Sequence, residues 1–227
     1  MSDLHLEFRN HGTPKIPPEH FHLWGDVCLP KSIDADVVVI AGDHHPHEQV
    51  REYTLKAMEQ AWGVPVIFTP GNHDYYHGTF PTSCGTTVDH QGVRFALSTL
   101  WTHLTPMDEI NKMEMNDFRC IKGITVAKWN EMNRASVEFL AESNADVIVT
   151  HHAPSFQSIS PQWQGHFLNP FFANNLDFSL FPITKLFLHG HVHNEFDYIQ
   201  GDIRVVCNPW GYPHERAGSE KIKFVEL

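Results

Sequence analysis

The chain has 227 residues, of which 41% are hydrophobic and 12% aromatic, so it can bury the core of a globular domain. Its formal net charge of −11 argues against a dedicated nucleic-acid binder, because such proteins usually display a basic face. A phosphate-bearing substrate stays possible, since bound divalent cations would reverse the sign of the charge locally. The length favours one domain over residues 1–227.

The cysteines and the first residues bear on the cellular compartment. The cysteines show no CxxC spacing, and we interpret them as reduced core thiols rather than a zinc site or a disulfide framework: Cys28, Cys84, Cys120 and Cys207. The chain begins without the basic and apolar regions of a secretory signal, and no apolar run is long enough to span a membrane. The sequence therefore predicts a cytoplasmic protein without a membrane partner and leaves its oligomeric state open.

The predicted elements begin with a strand, a helix and a second strand. Residues 36–41 form a short β-branched run, which is typical of a strand buried on both faces. From Glu48 to Trp62 the apolar residues recur near a period of 3.6, which predicts a helix. Residues 64–69 form the next apolar run. This order predicts parallel pairing of the two strands.

The rest of the chain is predicted to alternate in the same way. We expect a loop with some helix over residues 102–128 and a helix over Asn130–Ser143, which is apolar on one side. Short apolar or alternating runs predict further strands at 93–98, 146–150, 185–188, 195–200, 203–207 and 221–225. A Gly201-Asp202 turn joins two of these runs into a predicted antiparallel hairpin.

Polar residues follow at least four of the predicted strands within a residue or two. They are Asp43, the run Asn72-His73-Asp74, the doublet His151-His152, and His191 with His193. Ligands of open α/β sheets bind outside the carboxyl ends of parallel strands, so these residues can converge on one site. Histidine is the commonest metal ligand, and the chain has 18 of them against 16 Lys and Arg together. Imidazole nitrogen with carboxylate oxygen suits divalent ions such as Mn, Fe or Zn.

Two triplets, Asp3-Leu4-His5 and His191-Val192-His193, have potential ligands at alternate positions. On extended backbone, side chains two residues apart point to the same side. Each triplet can therefore offer two donors to one metal, or one donor to each of two neighbouring metals. We expect the glycines before Asp43, Asn72 and His191 to allow sharp turns and close backbone approach.

The order of these motifs resembles that of the calcineurin-like metallophosphoesterase superfamily over nearly the whole chain. The residues within the motifs are close to those of a bacterial and phage branch. The blocks that carry the resemblance are SDLHLEF, AGD, GNHDYY, THHAPS and GHVHNEFDY. The resemblance implies an α/β fold, a four-layer αββα sandwich of two mixed β-sheets flanked by helices. It also implies a hydrolase of phosphomonoesters or phosphodiesters that depends on two divalent metal ions.

The resemblance assigns ligands to both ions. One ion would be held by Asp3, His5 and His193, and the other by Asn72, His151 and His191. Asp43 would bridge them with one oxygen on each ion. The two ions would stabilise the attacking oxygen and the leaving oxygen of the displacement.

The resemblance also assigns residues beside the metals. His73 would act on the phosphoryl group or protonate the leaving oxygen, and Asp74 would orient its ring. With His151 as the ligand of the doublet, His152 would lie behind it or line the cleft. His44 follows the bridging Asp43 and would be able to reach the substrate phosphate.

Two other functions stay open. The same fold could serve as a catalytically inactive scaffold for a protein partner, or as a nuclease. The complete ligand set counts against the first, and the lack of a basic cluster counts against the second.

Only Met1 and Ser2 precede Asp3, so we expect the first ligands to be less firmly anchored. Trp101, Trp163 and other aromatic residues are expected to pack rather than to contact substrate.

Overall fold

The computed structural model describes residues 1–9, 23–24, 27–215 and 222–227. Its strands are β1 (Leu23–Trp24), β2 (Val27–Cys28), β3 (Val38–Ala41), β4 (Val66–Thr69), β5 (Thr86–His90), β6 (Val93–Ser98), β7 (Val147–Thr150), β8 (Leu186–His189), β9 (Phe196–Gln200) and β10 (Ile203–Cys207). Its α-helices are α1 (Glu48–Trp62), α2 (Pro106–Asn111), α3 (Asp117–Cys120) and α4 (Val126–Glu142). None of the helices in the described part of the chain combines the length and the hydropathy of a membrane span.

The larger sheet has six strands in the order β5-β6-β7-β8-β10-β9. Its four central strands run parallel, and the two edge strands pair antiparallel with their neighbours. The carboxyl ends of the four central strands therefore lie along one edge of the sheet. The predicted hairpin of β9 and β10 is confirmed.

The smaller sheet pairs β3 with β4 in parallel, and the first residues of the chain run beside β3. The Met1 amino group donates to Val39 O at 2.9 Å, and Ala41 N–H donates to Met1 O at 2.9 Å. On the other side, Ser2 forms a bridge with Pro209, just beyond β10. The weak anchoring that we expected here is wrong, because backbone hydrogen bonds fix the segment from both sides.

Three apolar clusters show that the chain forms four layers. Helix α1 covers the smaller sheet, with Met58 in one cluster with Ile40. Helix α4 covers the larger sheet, where Leu140 belongs to a cluster with Phe187. Between the sheets, Ile67 and other side chains of the smaller sheet meet residues of the larger one. This arrangement confirms the predicted α/β sandwich with helices on its outer faces, although the paired strands of the smaller sheet are parallel rather than mixed.

A few elements differ from the sequence-based predictions. Helix α4 begins at Val126 rather than at residue 130, because Thr125 caps it by accepting the Lys128 N–H. Strand β5 was not predicted, since most of its side chains are polar and exposed. The strand predicted at 221–225 is wrong for residues 222–225, which have no regular structure, and Lys221 lies outside the described residues.

Candidate metal centre

The chain start and the loops after the parallel strands bring all seven predicted ligands together. They are Asp3, His5, Asp43, Asn72, His151, His191 and His193, and all except the partly exposed His193 are buried. Three overlapping groups of these and neighbouring side chains could hold a metal ion: Asp3 with His5 and His193, Asp43 with His151 and His191, and His5 with Asp43 and His73. The first group has the residues of the first set implied by the sequence, and the second group joins His151 and His191 of the other set with the bridging Asp43.

The first group lies where the chain start meets the loop after β8. His5 Nε2 stands 3.1 Å from His193 Nε2, which stands 3.4 Å from Asp3 Oδ1. Asp3 also accepts hydrogen bonds from His191 N–H at 3.0 and 3.2 Å. The Asp3 carboxylate therefore joins the two triplets of the sequence in space.

The second group lies at the ends of β4, β7 and β8. His151 Nε2 stands 2.9 Å from Asn72 Oδ1, 3.1 Å from His191 Nδ1 and 3.3 Å from Asp43 Oδ2. Three potential ligand atoms thus surround the His151 ring nitrogen, which is itself the fourth.

Asp43 is a member of the second group and also faces the first. The same carboxylate oxygen is turned towards both groups. Its Oδ2 is 3.3 Å from His151 Nε2 and 3.7 Å from His5 Nε2. Its Oδ1 accepts the His73 backbone N–H at 2.9 Å. Oδ2 is thus the Asp43 oxygen that faces histidines of both groups.

The spacing of these atoms fits divalent ions. Ligand atoms bound about 2.0–2.2 Å from one ion at angles between 90° and 110° stand roughly 2.8–3.6 Å apart. The contacts within each group fall in or next to this range. The ring orientations agree as well, because the Nδ1 atoms of His5, His151 and His193 contact the carboxylate or carbonyl oxygens of Glu7, Ala41 and Glu215. Each Nε2 is thereby left to face the centre as a lone-pair donor.

The electrostatics of the centre favour bound positive charge. Burial lowers the pKa of His151, but Asp43 and Asp3 beside it raise that pKa to about 9. Burial likewise lowers the pKa of His193, while hydrogen bonds with Asp3 and Glu215 raise it to about 10. The buried carboxylates thus attract positive charge. Metal ions would neutralise them in the same way as protons on these rings do.

The backbone of the two triplets is not extended, so that part of the sequence argument is wrong. Asp3 and His5 have φ of 55° and 44°, and His191 and His193 have φ of 68° and 48°. Asp43 shares this left-handed conformation with φ of 54°. Non-glycine residues rarely adopt it, and they concentrate at functional sites, where the surrounding structure holds them. Tight left-handed turns, and not the alternation of an extended strand, direct these side chains towards the centre.

The glycines of the motifs allow the close approach that we predicted. A Cβ on Gly71 would lie 2.2 Å from Asp43 Oδ1 and 2.7 Å from His151 Cε1. A Cβ on Gly42 would lie 2.2 Å from His151 Nδ1, and its φ of 84° also suits glycine. Any side chain at these positions would occupy the space of a potential ligand.

His73 lies beside the centre with both ring nitrogens in contact with other groups. Its Nδ1 is 3.1 Å from Glu7 Oε1, and its Nε2 is 3.3 Å from the Tyr212 hydroxyl. The Tyr76 ring stacks on it at 4.2 Å. Burial lowers the pKa of His73, but Asp43 and Glu7 raise it above its ordinary value. A cationic ring at this place can interact with a phosphoryl group.

The expectation that Asp74 orients His73 is wrong. The Asp74 carboxylate accepts the backbone N–H groups of Asp43, His44, His45 and Gly71 at 2.7–3.1 Å. It therefore holds the loop after β3 against the loop after β4, and it acts on the backbone of Asp43 rather than on the His73 ring.

Glu7 and Asp117 support the centre, and sequence reasoning did not find them. Glu7 Oε1 contacts Nδ1 of both His5 and His73 at 3.1 Å. Asp117 Oδ1 accepts the Asn72 side-chain N–H at 2.8 Å, which turns the Asn72 carbonyl oxygen towards His151. Glu7 stands two residues after His5 inside the first motif, which is the one signal that pointed to it.

The two histidines predicted to contact substrate face away from the cleft. His44 is buried, with Nε2 2.5 Å from Thr54 Oγ1 on α1, and burial lowers its pKa to about 3. His152 is buried behind His191, with ring centres 4.3 Å apart, and its Nδ1 is 3.1 Å from Thr99 O. The substrate role is therefore wrong for His44. His152 takes the alternative place behind the ligands.

A cleft of about 430 Å³ opens over the centre. Its floor includes Asp43, Asn72, His73, His191 and His193. A volume of this size accommodates a small organic molecule. The cleft therefore gives a substrate access to both groups at once.

Comparison with known proteins agrees with this geometry. The sequence profile described as calcineurin-like phosphoesterase matches residues 1–195. The chain belongs to the calcineurin-like phosphoesterase family. No curated protein sequence matches the chain.

Solved structures resemble the fold at low sequence identity. Phosphopantetheinyl hydrolase from Mycobacterium tuberculosis is 15% identical and has a TM-score of 0.62, with 94% of this chain and 88% of that chain covered. A dimetal phosphatase from Danio rerio is 13% identical with a TM-score of 0.46, covering 78% of this chain and 73% of that chain. The first likeness shows a shared fold.

Proposed function

We propose that this family member is a two-metal hydrolase of phosphomonoesters or phosphodiesters. The observation that carries the proposal is the pair of ligand groups that share Asp43 Oδ2 on the floor of one cleft. Asp3, His5 and His193 would hold one divalent ion, and Asn72, His151 and His191 would hold the other. When bound, such ions supply activation of water and neutralisation of charge on the phosphoryl oxygens.

The residues around the metals would orient the substrate and handle protons. His73 belongs to the floor of the cleft, and its raised pKa favours the cationic ring. That ring would attract a phosphoryl oxygen or donate a proton to the leaving oxygen. Glu7 would keep the proton on Nδ1 and hold the ring in place. Asp74 would keep the Asp43 backbone in position through its four amide contacts.

Turnover of simple esters by protein of known metal content tests the proposal. Chelator-treated protein is reconstituted with Mn²⁺, Fe²⁺ or Zn²⁺, the bound metal is quantified, and hydrolysis of an aryl phosphate and an aryl phosphodiester is measured. We expect metal-dependent turnover of at least one ester class. Protein that binds two ions and hydrolyses neither class would contradict the proposal.

Two variants separate metal binding from chemistry. His73→Ala should keep its metal near the wild-type content and lose turnover by roughly 10²–10⁴-fold, because an acid–base group contributes that much. Asp43→Ala should lose metal as well, because it removes a shared ligand. His103→Ala, at an exposed position away from the cleft, is the matched control and should behave as wild type. Wild-type turnover in His73→Ala or Asp43→Ala would show that the residue is assigned wrongly.

A further inference from the structure

The loop between β7 and β8 forms one wall of the cleft. Residues 154–172 leave the sandwich and return to it, and their ends are joined by hydrogen bonds from Ala153 N–H to Phe172 O at 3.1 Å and from Asn174 N–H to Ala153 O at 2.8 Å. This loop gives the cleft four apolar or aromatic residues, Ile159, Trp163, Leu168 and Phe172, together with His166 and the polar Ser160 and Asn169. The wall is therefore suited to an apolar part of a ligand.

The backbone of Trp163 is held by hydrogen bonds, while the residue is 52% exposed. Its carbonyl oxygen accepts hydrogen bonds from His166 N–H at 3.0 Å and from the Asn169 side chain at 2.8 Å. The edge of the His166 ring also meets the indole, with ring centres 5.5 Å apart. The loop backbone that carries this exposed indole is thus already ordered, so a ligand that stacks on the ring need not order the loop.

The apolar wall begins directly at the metal-binding groups. The Phe172 ring stacks on the His191 ring with centres 4.7 Å apart. A phosphoryl group held over His191 would therefore direct one of its ester substituents along Phe172 into the part of the cleft that Trp163 lines.

The charged residues of the cleft point to the same kind of substituent. Glu114, Asp117 and Glu215 line the cleft, and no Lys or Arg is found among the described residues that do so. A second phosphate on the substrate would meet carboxylates instead of cations, and like charges at short range repel each other. Away from the metal centre, these carboxylates disfavour a second phosphate beside them.

We propose that the substrate is a phosphoester whose alcohol part is uncharged and carries an aromatic ring that stacks on Trp163. This inference rests on the proposed hydrolase function and adds the chemical class of the substituent. It also changes the sequence-based expectation for Trp163, which favoured packing in the protein.

Benzyl phosphate and ethyl phosphate test the aromatic preference, because their leaving alcohols are chemically similar and only one has a ring. We expect wild-type protein to favour benzyl phosphate in kcat/KM. Trp163→Ala should reduce the ratio of the two kcat/KM values roughly tenfold, as expected for a lost stacking contact. Trp163→Phe should retain most of the ratio, since a ring is still present. Dibenzyl and diethyl phosphate extend the comparison to diesters.

Phe156→Ala is the matched control. Phe156 belongs to the same loop and is 41% exposed, but it does not line the cleft. The ratio in this variant should equal that of wild type, and unchanged metal content checks that each variant keeps its centre.

A charge reversal tests the second half of the proposal. Glu114→Lys should raise kcat/KM for propane-1,3-diyl bisphosphate roughly fivefold relative to ethyl phosphate, because it replaces a repulsive charge with an attractive one. Glu138→Lys makes the same change at an exposed position on α4 and should leave this ratio unchanged.

The outcomes separate this inference from the proposed function. Turnover of these esters with no benzyl preference, or with a preference that Trp163→Ala retains, would overturn the inference and leave the hydrolase function standing. Hydrolysis of none of them by protein with both metals bound would count against the proposed function itself.

Discussion

At the scale of single residues, Glu7 connects the metal groups with His73. Its side chain is largely buried, and the same oxygen contacts His5 Nδ1 and His73 Nδ1 at 3.1 Å. Burial raises the pKa of Glu7, but the hydrogen bonds from both imidazoles lower it to about 2, so the group is ionised at neutral pH. An ionised carboxylate only accepts hydrogen bonds, so each imidazole must carry its proton on Nδ1.

Replacement of Glu7 by Gln should therefore impair the site without removing a ligand. Gln keeps the size and one acceptor but loses the charge that fixes both rings, and its amide can face Nδ1 with a donor. We expect kcat/KM to fall roughly 10–100-fold, the usual cost of losing a group that orients a metal-binding histidine. Steady-state kinetics and metal quantification on the same samples measure the change.

Glu48→Gln is the control for Glu7→Gln, because it removes the same charge at an exposed position at the start of α1. It should leave kinetics and metal content unchanged. Wild-type kcat/KM in Glu7→Gln at full metal content would refute the orienting role of this carboxylate.

Residue identities at this site could be predicted from the sequence better than their geometry could. Asp43, Asn72 and His151 each follow a recognisable strand, so their convergence follows from the parallel sheet. The left-handed backbone of Asp3 and His5 could not be predicted, because it depends on hydrogen bonds to residues far away in the sequence, such as the one from His5 N–H to Asp43 O. The hydrogen-bond partners of Asp74 could not be predicted for the same reason, because they too depend on contacts with residues far away in the sequence.

At the scale of elements, the edge of the larger sheet is joined to the end of the chain by ion pairs. On β9, Asp197 accepts two hydrogen bonds from Arg204 on β10, at 2.9 and 2.8 Å. Lys223 in the tail is 3.0 Å from Asp197 and 3.3 Å from Glu195. These contacts hold residues 222–227 against the hairpin without a regular strand.

Substitution of Asp197 by Asn should make stability less dependent on acid pH. Hydrogen bonds from Arg204 and the nearby Lys223 lower the pKa of Asp197 to about 2, below the roughly 3.9 of an unfolded chain. The contribution is therefore complete above about pH 5 and is lost as the pH falls towards 2. Because the side chain is 31% exposed, we expect the variant to lose at most about 1 kcal/mol of unfolding free energy at neutral pH. Denaturant unfolding between pH 3 and 7 should show the difference shrinking as the pH falls.

Asp202→Asn is the matched control in the turn of the same hairpin. This carboxylate has no ion-pair partner in the described part of the chain. The variant should show a smaller change in unfolding free energy across the pH range. A loss in Asp197→Asn that grows on acidification would contradict the assignment.

The elements that sequence patterns missed are those whose stability comes from neighbours. Strand β5 is half-exposed and polar, and it exists because β6 offers it an open edge. Residues 222–225 have the alternating pattern of a strand, but salt bridges and the packing of Val225 against the inter-sheet core replace strand pairing. Helix α1 was predicted with the observed bounds because its pattern is local.

At the scale of the whole molecule, the two sheets meet through the same buried charges that form the centre. Asp43 follows β3 of the smaller sheet, while His151 and His191 follow β7 and β8 of the larger one. Asp3 connects the chain start to the loop after β8. Burial raises the pKa of Asp3 and Asp43, and imidazole neighbours lower both, so these carboxylates stay ionised in the interior only with cations beside them.

Metal binding should therefore stabilise the whole fold rather than one loop. Ligands that bind only the folded state add RT ln(1 + [L]/Kd), which is about 2.7 kcal/mol at 100 times Kd. For a domain of this size, that free energy raises Tm by roughly 5–11 °C. We expect thermal scans of chelator-treated protein titrated with Mn²⁺ to show a Tm that rises with the logarithm of the metal concentration. Asp43→Asn removes the negative charge and one oxygen of the carboxylate that faces both groups, and it should show a clearly smaller rise. A Tm that does not respond to Mn²⁺, Fe²⁺ or Zn²⁺ would mean that these carboxylates and imidazoles join the sheets without holding metal.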